Sequence, residues 1–265
     1  MEKLPLKTVC TCIIVSVVVV WGTLFALWQF YREVKGRRAT AQRYAISVLI
    51  QKSHTTDTVP TDTFSELLGL SADQPTNMYS FDVEEATSKL MACGSFKTVS
   101  IDLLEPAAIV VDYELRRPVA YLADFENAAI DATGYVFALS PFMTPKNIPQ
   151  FVLQKGSQME WNQRLSGSHI DLAMNAHKYL DFIKPADVAL IKVDVSRAFL
   201  KTASREIVVV VAMNNTSVYL RLHPATYKER LREFFLLVPS MQQLALKDQE
   251  IVDLRLPHMA LVKVV

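Results

Sequence analysis

Apolar and polar positions along this chain change rhythm several times, and each rhythm predicts an element. From Val9 to Phe30 there is no formal charge, which predicts one continuous apolar helix. Tyr44 to Ile50 is rich in β-branched and aromatic residues and predicts a strand. Thr63-Phe64-Ser65-Glu66 then opens a short helix with Phe64, Leu67 and Leu68 on its apolar side and Gly69 at its end. A second helix starts at Asp82, whose carboxylate is placed to cap with Glu85 three residues on. It buries Val83, Ala86 and Leu90 and stops at Gly94. Two runs of period two follow: Val99, Ile101 and Leu103, then Ile109, Val111, Tyr113 and Leu115, joined through Pro106 as an antiparallel hairpin. Beyond an Asp131-Ala132-Thr133-Gly134 turn, Tyr135-Val136-Phe137 resumes as a short strand, and Pro141, Pro145 and Pro149 punctuate a loop-rich crossing.

The second half repeats the alternation of types. Ile170, Ala173, Met174, His177 and Leu180 share one face of a helix that begins near Ser168 and ends before Pro185. Strands are expected at Ala189 to Val195, Ile207 to Met213 and Val218 to Leu222. Pro224 opens another helix, with Tyr227, Leu231, Phe234, Phe235 and Val238 on its buried face. A last strand runs from Ile251 to Leu256 and continues past Pro257 from Met259 to Val264. Strands interleaved with helices give a mixed α+β body. Lys52 to Asp62 is expected to be a flexible loop.

The uncharged run is about 33 Å long as a helix, enough to span hydrocarbon. The rival reading is a cleavable signal peptide, but the run exceeds a usual signal core and no small-x-small cleavage site follows it. Lys3 and Lys7 precede the run, whereas Arg32, Lys35, Arg37, Arg38 and Arg43 follow it, so the positive-inside rule taken alone keeps the body in the cytoplasm. Long domains translocate largely regardless of such charges, so a body outside the cytoplasm, the placement expected with the family resemblance below, is not forbidden by them. The basic flank suits lipid phosphates. The whole chain carries +1, and acidic side chains slightly outnumber basic ones beyond residue 40, which disfavours a nucleic-acid surface.

Candidate chemistry is sparse. Seven glycines include no phosphate-binding loop, and the chain has no G-x-S-x-G, H-E-x-x-H or S-x-x-K with K-T-G. No two of the five histidines are three or four apart, and His177 lies on an apolar stripe as a core or edge histidine would. Of three cysteines, Cys10 and Cys12 lie in the apolar run and Cys93 stands alone, a small hydrophobe at a helix end. Glu84 and Glu85 suit a helix N-terminus, and Glu105 a turn, better than an acid/base pair. Arg116-Arg117 reads either as a solvated strand end or as an anion site. The final strand reads either as the completion of a core or as an open edge able to accept a partner's strand. These readings imply no catalytic group, cofactor, metal or small-molecule substrate.

The order of anchor, strand, two helices, hairpin, Arg117-Pro118-Val119 junction, Asp131-x-x-Gly134 turn and terminal Val252-Asp253-Leu254-Arg255 resembles the bacterial division proteins FtsQ/DivIB. Within it Tyr44 to Leu122 is similar to a POTRA domain, including Leu67-Leu68-Gly69-Leu70, Pro75 to Tyr79 and Phe96 to Val99. Ile191 to Ser196 resembles part of the β domain that follows POTRA in that family. The resemblance implies a cytoplasmic leader over residues 1–8, a transmembrane helix over 9–30, a basic linker over 31–43, a POTRA domain over 44–122 and a β domain over 123–265. It implies a non-enzymatic, single-pass inner-membrane scaffold with its body in the periplasm, which binds FtsB- and FtsL-type partners. Carried over by position, the partner-binding residues are Arg255, Leu256, His258, Ala260 and Val262, with Tyr227, Leu231 and Phe235 of the preceding helix nearby. The very short leader and Pro257 depart from the family pattern. An export or outer-membrane assembly factor would also carry POTRA units, in several copies or with a barrel, and a tethered hydrolase would need a nucleophile with its base.

Overall fold

The structure is a computed structural model, which describes residues 6–71, 73–154, 159–201, 204–213, 216–241, 250–256 and 259–263. Helix α1, Leu6–Thr40, extends well past the uncharged run, and by length and composition it can cross a bilayer once. None of its apolar window is buried against the body.

Tyr44 does not begin a strand. Residues Gln42–Tyr44 form a 3-10 turn, and β1 runs over Val48–Ser53. The backbone between them is occupied elsewhere, since Ile46 N–H donates to Thr76 and Met78 N–H to Tyr44. The expected loop at 52–62 is therefore shorter: Lys52 and Ser53 belong to β1, and α2 covers Thr61–Leu68. Helix α3, Val83–Ala92, starts as its sequence predicts, with Asp82 accepting from Glu85 N–H at 2.9 Å. Strands β2, Phe96–Leu104, and β3, Ala108–Leu115, form the hairpin. They make a three-stranded sheet in the order β1-β3-β2, with β1 parallel and β2 antiparallel to β3. Phe64, Phe96 and Tyr113 meet in its core, with ring centroids 5.2 to 5.8 Å apart.

At Arg116-Arg117 the chain changes sheet. Strand β4, Pro118–Leu122, lies in a nine-stranded sheet, so the span 44–122 takes one strand of that sheet with it. The remaining strands are β5 (Ala128–Asp131), β6 (Val136–Ala138), β7 (Gln150–Val152), β8 (Val188–Asp194), β9 (Ile207–Met213), β10 (Thr216–Leu222), β11 (Glu250–Asp253) and β12 (Leu261–Lys263). Their order is β12-β11-β10-β9-β8-β7-β4-β5-β6. Helices α4, Ser168–Ile183, and α5, Tyr227–Met241, pack on its core. The expected single last strand is instead a pair, because β12 turns back antiparallel to β11. Pro257 between them has no N–H with which to continue a ladder.

Strands β5 and β6 of the larger sheet contribute to both cores. Ala128, Ile130 and Val136 point into the larger core, while the alternate Ala129 and Phe137 enter the smaller one with Leu139, Phe142 and Met143. Arg116 donates to Asp131 and to the carbonyl of Gly94, both at 3.0 Å, and its guanidinium lies 3.5 Å from the Tyr135 ring centroid. Gly94 has φ +71°, and an added Cβ there would run into Asn162, whose amide reaches the carbonyl of Ala92. At the β6 side of the large sheet, residues 162–165 lie alongside: Val136 N–H donates to Gln163, and Asn162 N–H to Val136.

Candidate functional site

The residues carried over as partner-binding divide sharply. Tyr227, Leu231 and Phe235 are 6%, 0% and 8% exposed and belong to the core, so a partner cannot reach them in this fold. Burial also raises the Tyr227 hydroxyl above its ordinary range. Leu256 and Val262 are about half exposed and Ala260 is exposed. His258 lies outside the described residues.

Arg255 is already engaged. Its guanidinium donates to both carboxylate oxygens of Asp253, at 2.9 and 2.6 Å, and lies 3.4 Å from Glu206. Glu206 is buried and also takes Arg221 at 2.6 Å and Arg197 at 3.3 Å, while Arg221 reaches Asp253 at 3.5 Å. Burial alone would raise the Asp253 carboxyl, but the hydrogen bonds and charge of Arg255, with the charge of Arg221, hold it below its ordinary value. This network ties β10 and β11 to the connection between β8 and β9. Three guanidiniums face two carboxylates, which leaves the corner beside the C-terminal edge net positive.

The edge itself is set by register. Leu254 N–H donates to Arg221, so Glu250, Val252 and Leu254 face β10, whereas Ile251 and Asp253 face β12. With Ile251 opposite Lys263 and Asp253 opposite Leu261, the alternation of an antiparallel ladder turns the N–H and C=O of Val262 to the open side. Beside this edge is a groove of about 370 Å³ between α5 and the β11–β12 connection, lined by Phe234, Leu236, Leu237, Leu254, Met259 and Ala260 together with the ion-paired Arg230 and Glu233. Leu236 and Leu237 are 72% and 53% exposed, although the sequence reading of α5 passed over them. The signal was present: Phe234 to Val238 is five apolar residues in succession, more than one helical stripe can bury.

Elsewhere, a cleft of about 490 Å³ at the junction of the sheets is lined by His54, Asp57, Arg117 and Lys146 among others. Lys146 pairs with Asp57, and His54 with Asp112 at 2.7 Å. Cys93 is half-buried, and burial raises its thiol. Among the described residues no group of three His, Cys, Asp or Glu side chains is placed to hold a metal ion. In comparison with known proteins, the chain matches no family model and no curated protein.

Proposed function

We propose that this chain is a single-pass membrane scaffold of the bacterial division machinery, of the FtsQ/DivIB kind, that captures a partner's extended segment at β12. In this reading the three-stranded sheet with α2 and α3 corresponds to a POTRA domain and the nine-stranded sheet to the β domain. The body lies outside the cytoplasm, and the partners are septal proteins of the FtsB and FtsL type. One observation carries the docking proposal: β12 is an exposed edge strand with the backbone groups of Val262 directed outward. The apolar groove next to it offers a place for side chains of the incoming segment, and the net positive corner at Arg255 favours a carboxylate on it. The strand order β1-β3-β2 with two helices on one face also supports the POTRA reading.

The test uses Val262→Pro. Proline removes the outward N–H and leaves the bonds of Ile251 and Asp253 to β12 intact. Full-length wild type is expected to retain a septal coiled-coil partner in a pull-down, and the variant to lose it while unfolding at the same denaturant concentration. Equal recovery by both proteins overturns the edge proposal.

A further inference from the structure

We propose that the last turns of α1 bind anionic phospholipid headgroups, through Arg32 and Lys35 on one side of the helix and Arg37 on another, while Arg38 holds the body in place. This rests on α1 crossing a membrane. The uncharged run ends before Arg32, and α1 continues unbroken to Thr40. Counting from the end of that run at 1.5 Å per residue, Arg32 lies about 3 Å beyond the hydrocarbon edge, Lys35 about 8 Å and Arg37 about 10 Å. A headgroup layer is about 5–8 Å thick, and long basic side chains reach back toward it.

The basic residues differ in what holds them. Arg38 donates to the Tyr79 hydroxyl at 2.6 Å, reaches Glu105 at 3.3 Å and lies 5.5 Å from the Tyr79 ring centroid. Arg43 donates to the Tyr44 hydroxyl at 2.7 Å and lies 4.6 Å from that ring centroid. The Asn77 side-chain amide donates to the carbonyls of Arg38 and Ala41, at 3.0 and 3.1 Å, and so closes the helix end. Arg38 is thereby spent on the join between helix and body, whereas Arg43, itself exposed, lies on the ring of its chain neighbour Tyr44. Arg32, Lys35 and Arg37 are exposed, and the contacts of Arg32 and Arg37 stay within α1. Arg32 and Lys35 are three apart on one side of the helix, with Arg32 5.5 Å from the ring centroid of Trp28, a residue type suited to the interface. Among the described residues Arg37 pairs only with Glu33, at 2.6 Å, with the two side chains 79% and 62% exposed, and such a pair yields readily to a phosphate.

The full-length chain is reconstituted in phosphatidylcholine vesicles that carry spin-labelled phosphatidylglycerol or spin-labelled phosphatidylcholine, and the fraction of label immobilised at the protein is compared. Wild type is expected to favour phosphatidylglycerol by about fivefold or more, the ratio that one near-surface cation supplies. The Arg32→Gln, Lys35→Gln, Arg37→Gln triple variant is expected to bring the ratio close to one. Arg38→Gln is expected to keep the lipid preference and to speed hydrogen exchange at the Met78 amide, which donates to Tyr44. Equal immobilisation of both labels by wild type overturns the proposal. Displacement of labelled phosphatidylglycerol by inorganic phosphate at constant ionic strength overturns lipid as the ligand. Carbonate washing separates the two premises: protein washed off the vesicles overturns the membrane span, whereas retained protein without lipid preference overturns the headgroup site alone.

Discussion

Asp131 shows how much one carboxylate can organise. Its Oδ1 accepts from the N–H groups of Thr133 and Tyr135 and from the Thr133 hydroxyl, and its Oδ2 from Arg116. Burial alone would raise this carboxyl, but the hydrogen bonds outweigh it and the group lies below its ordinary value. The native carboxyl therefore releases its proton more readily than the unfolded chain's. Its contribution is complete above the ordinary aspartate range, about pH 4, and is lost as pH falls through the lower native value. Asp131→Asn is expected to lower stability by about 2–3 kcal/mol at neutral pH, and to flatten the acid dependence of urea unfolding in detergent micelles. The Asp-x-x-Gly turn was legible in the sequence because its residue types carry their own backbone geometry. That Arg116 rather than Arg117 turns inward to it was not legible, since two adjacent arginines look alike until the sheet fixes their sides.

At the scale of elements, α5 separates burial from availability. Leu231→Ala is expected to cost about 2–5 kcal/mol in chemical denaturation, because Leu231 is fully buried in the large core. Leu237→Ala should stay within about 0.5 kcal/mol of wild type in the same measurement, yet weaken capture of a partner segment. The apolar stripe of this helix was readable from spacing. Its outer leucines were missed because the stripe accounts for the core and says nothing of what lies beyond it. Strand rhythm has the same blind spot: alternation at Ile251–Asp253 and Leu261–Lys263 marks both strands but carries no sign of a reversal, for which Pro257 is the one hint. Capping is different, since Asp82 and Glu85 act within one turn and need no distant partner.

For the whole molecule, the division into two sheets is not a division into two independent cores. A fragment of residues 44–122 lacks Ala129, Phe137, Leu139, Phe142 and Met143, all of which belong to the smaller core. It is expected to melt without a cooperative transition when followed by circular dichroism. In the intact chain, Phe137→Ala should cost about 3–5 kcal/mol and speed hydrogen exchange in β2 and β3, although Phe137 lies in the other sheet. The nine-stranded sheet itself has unequal ends: residues 162–165 run beside β6, whereas among the described residues no strand pairs with the outer side of β12. An array that grows by adding strands needs two free sides per unit. This sheet offers one, so pairing through it ends after a single addition, and two molecules meeting edge to edge would make a closed pair rather than the start of a filament.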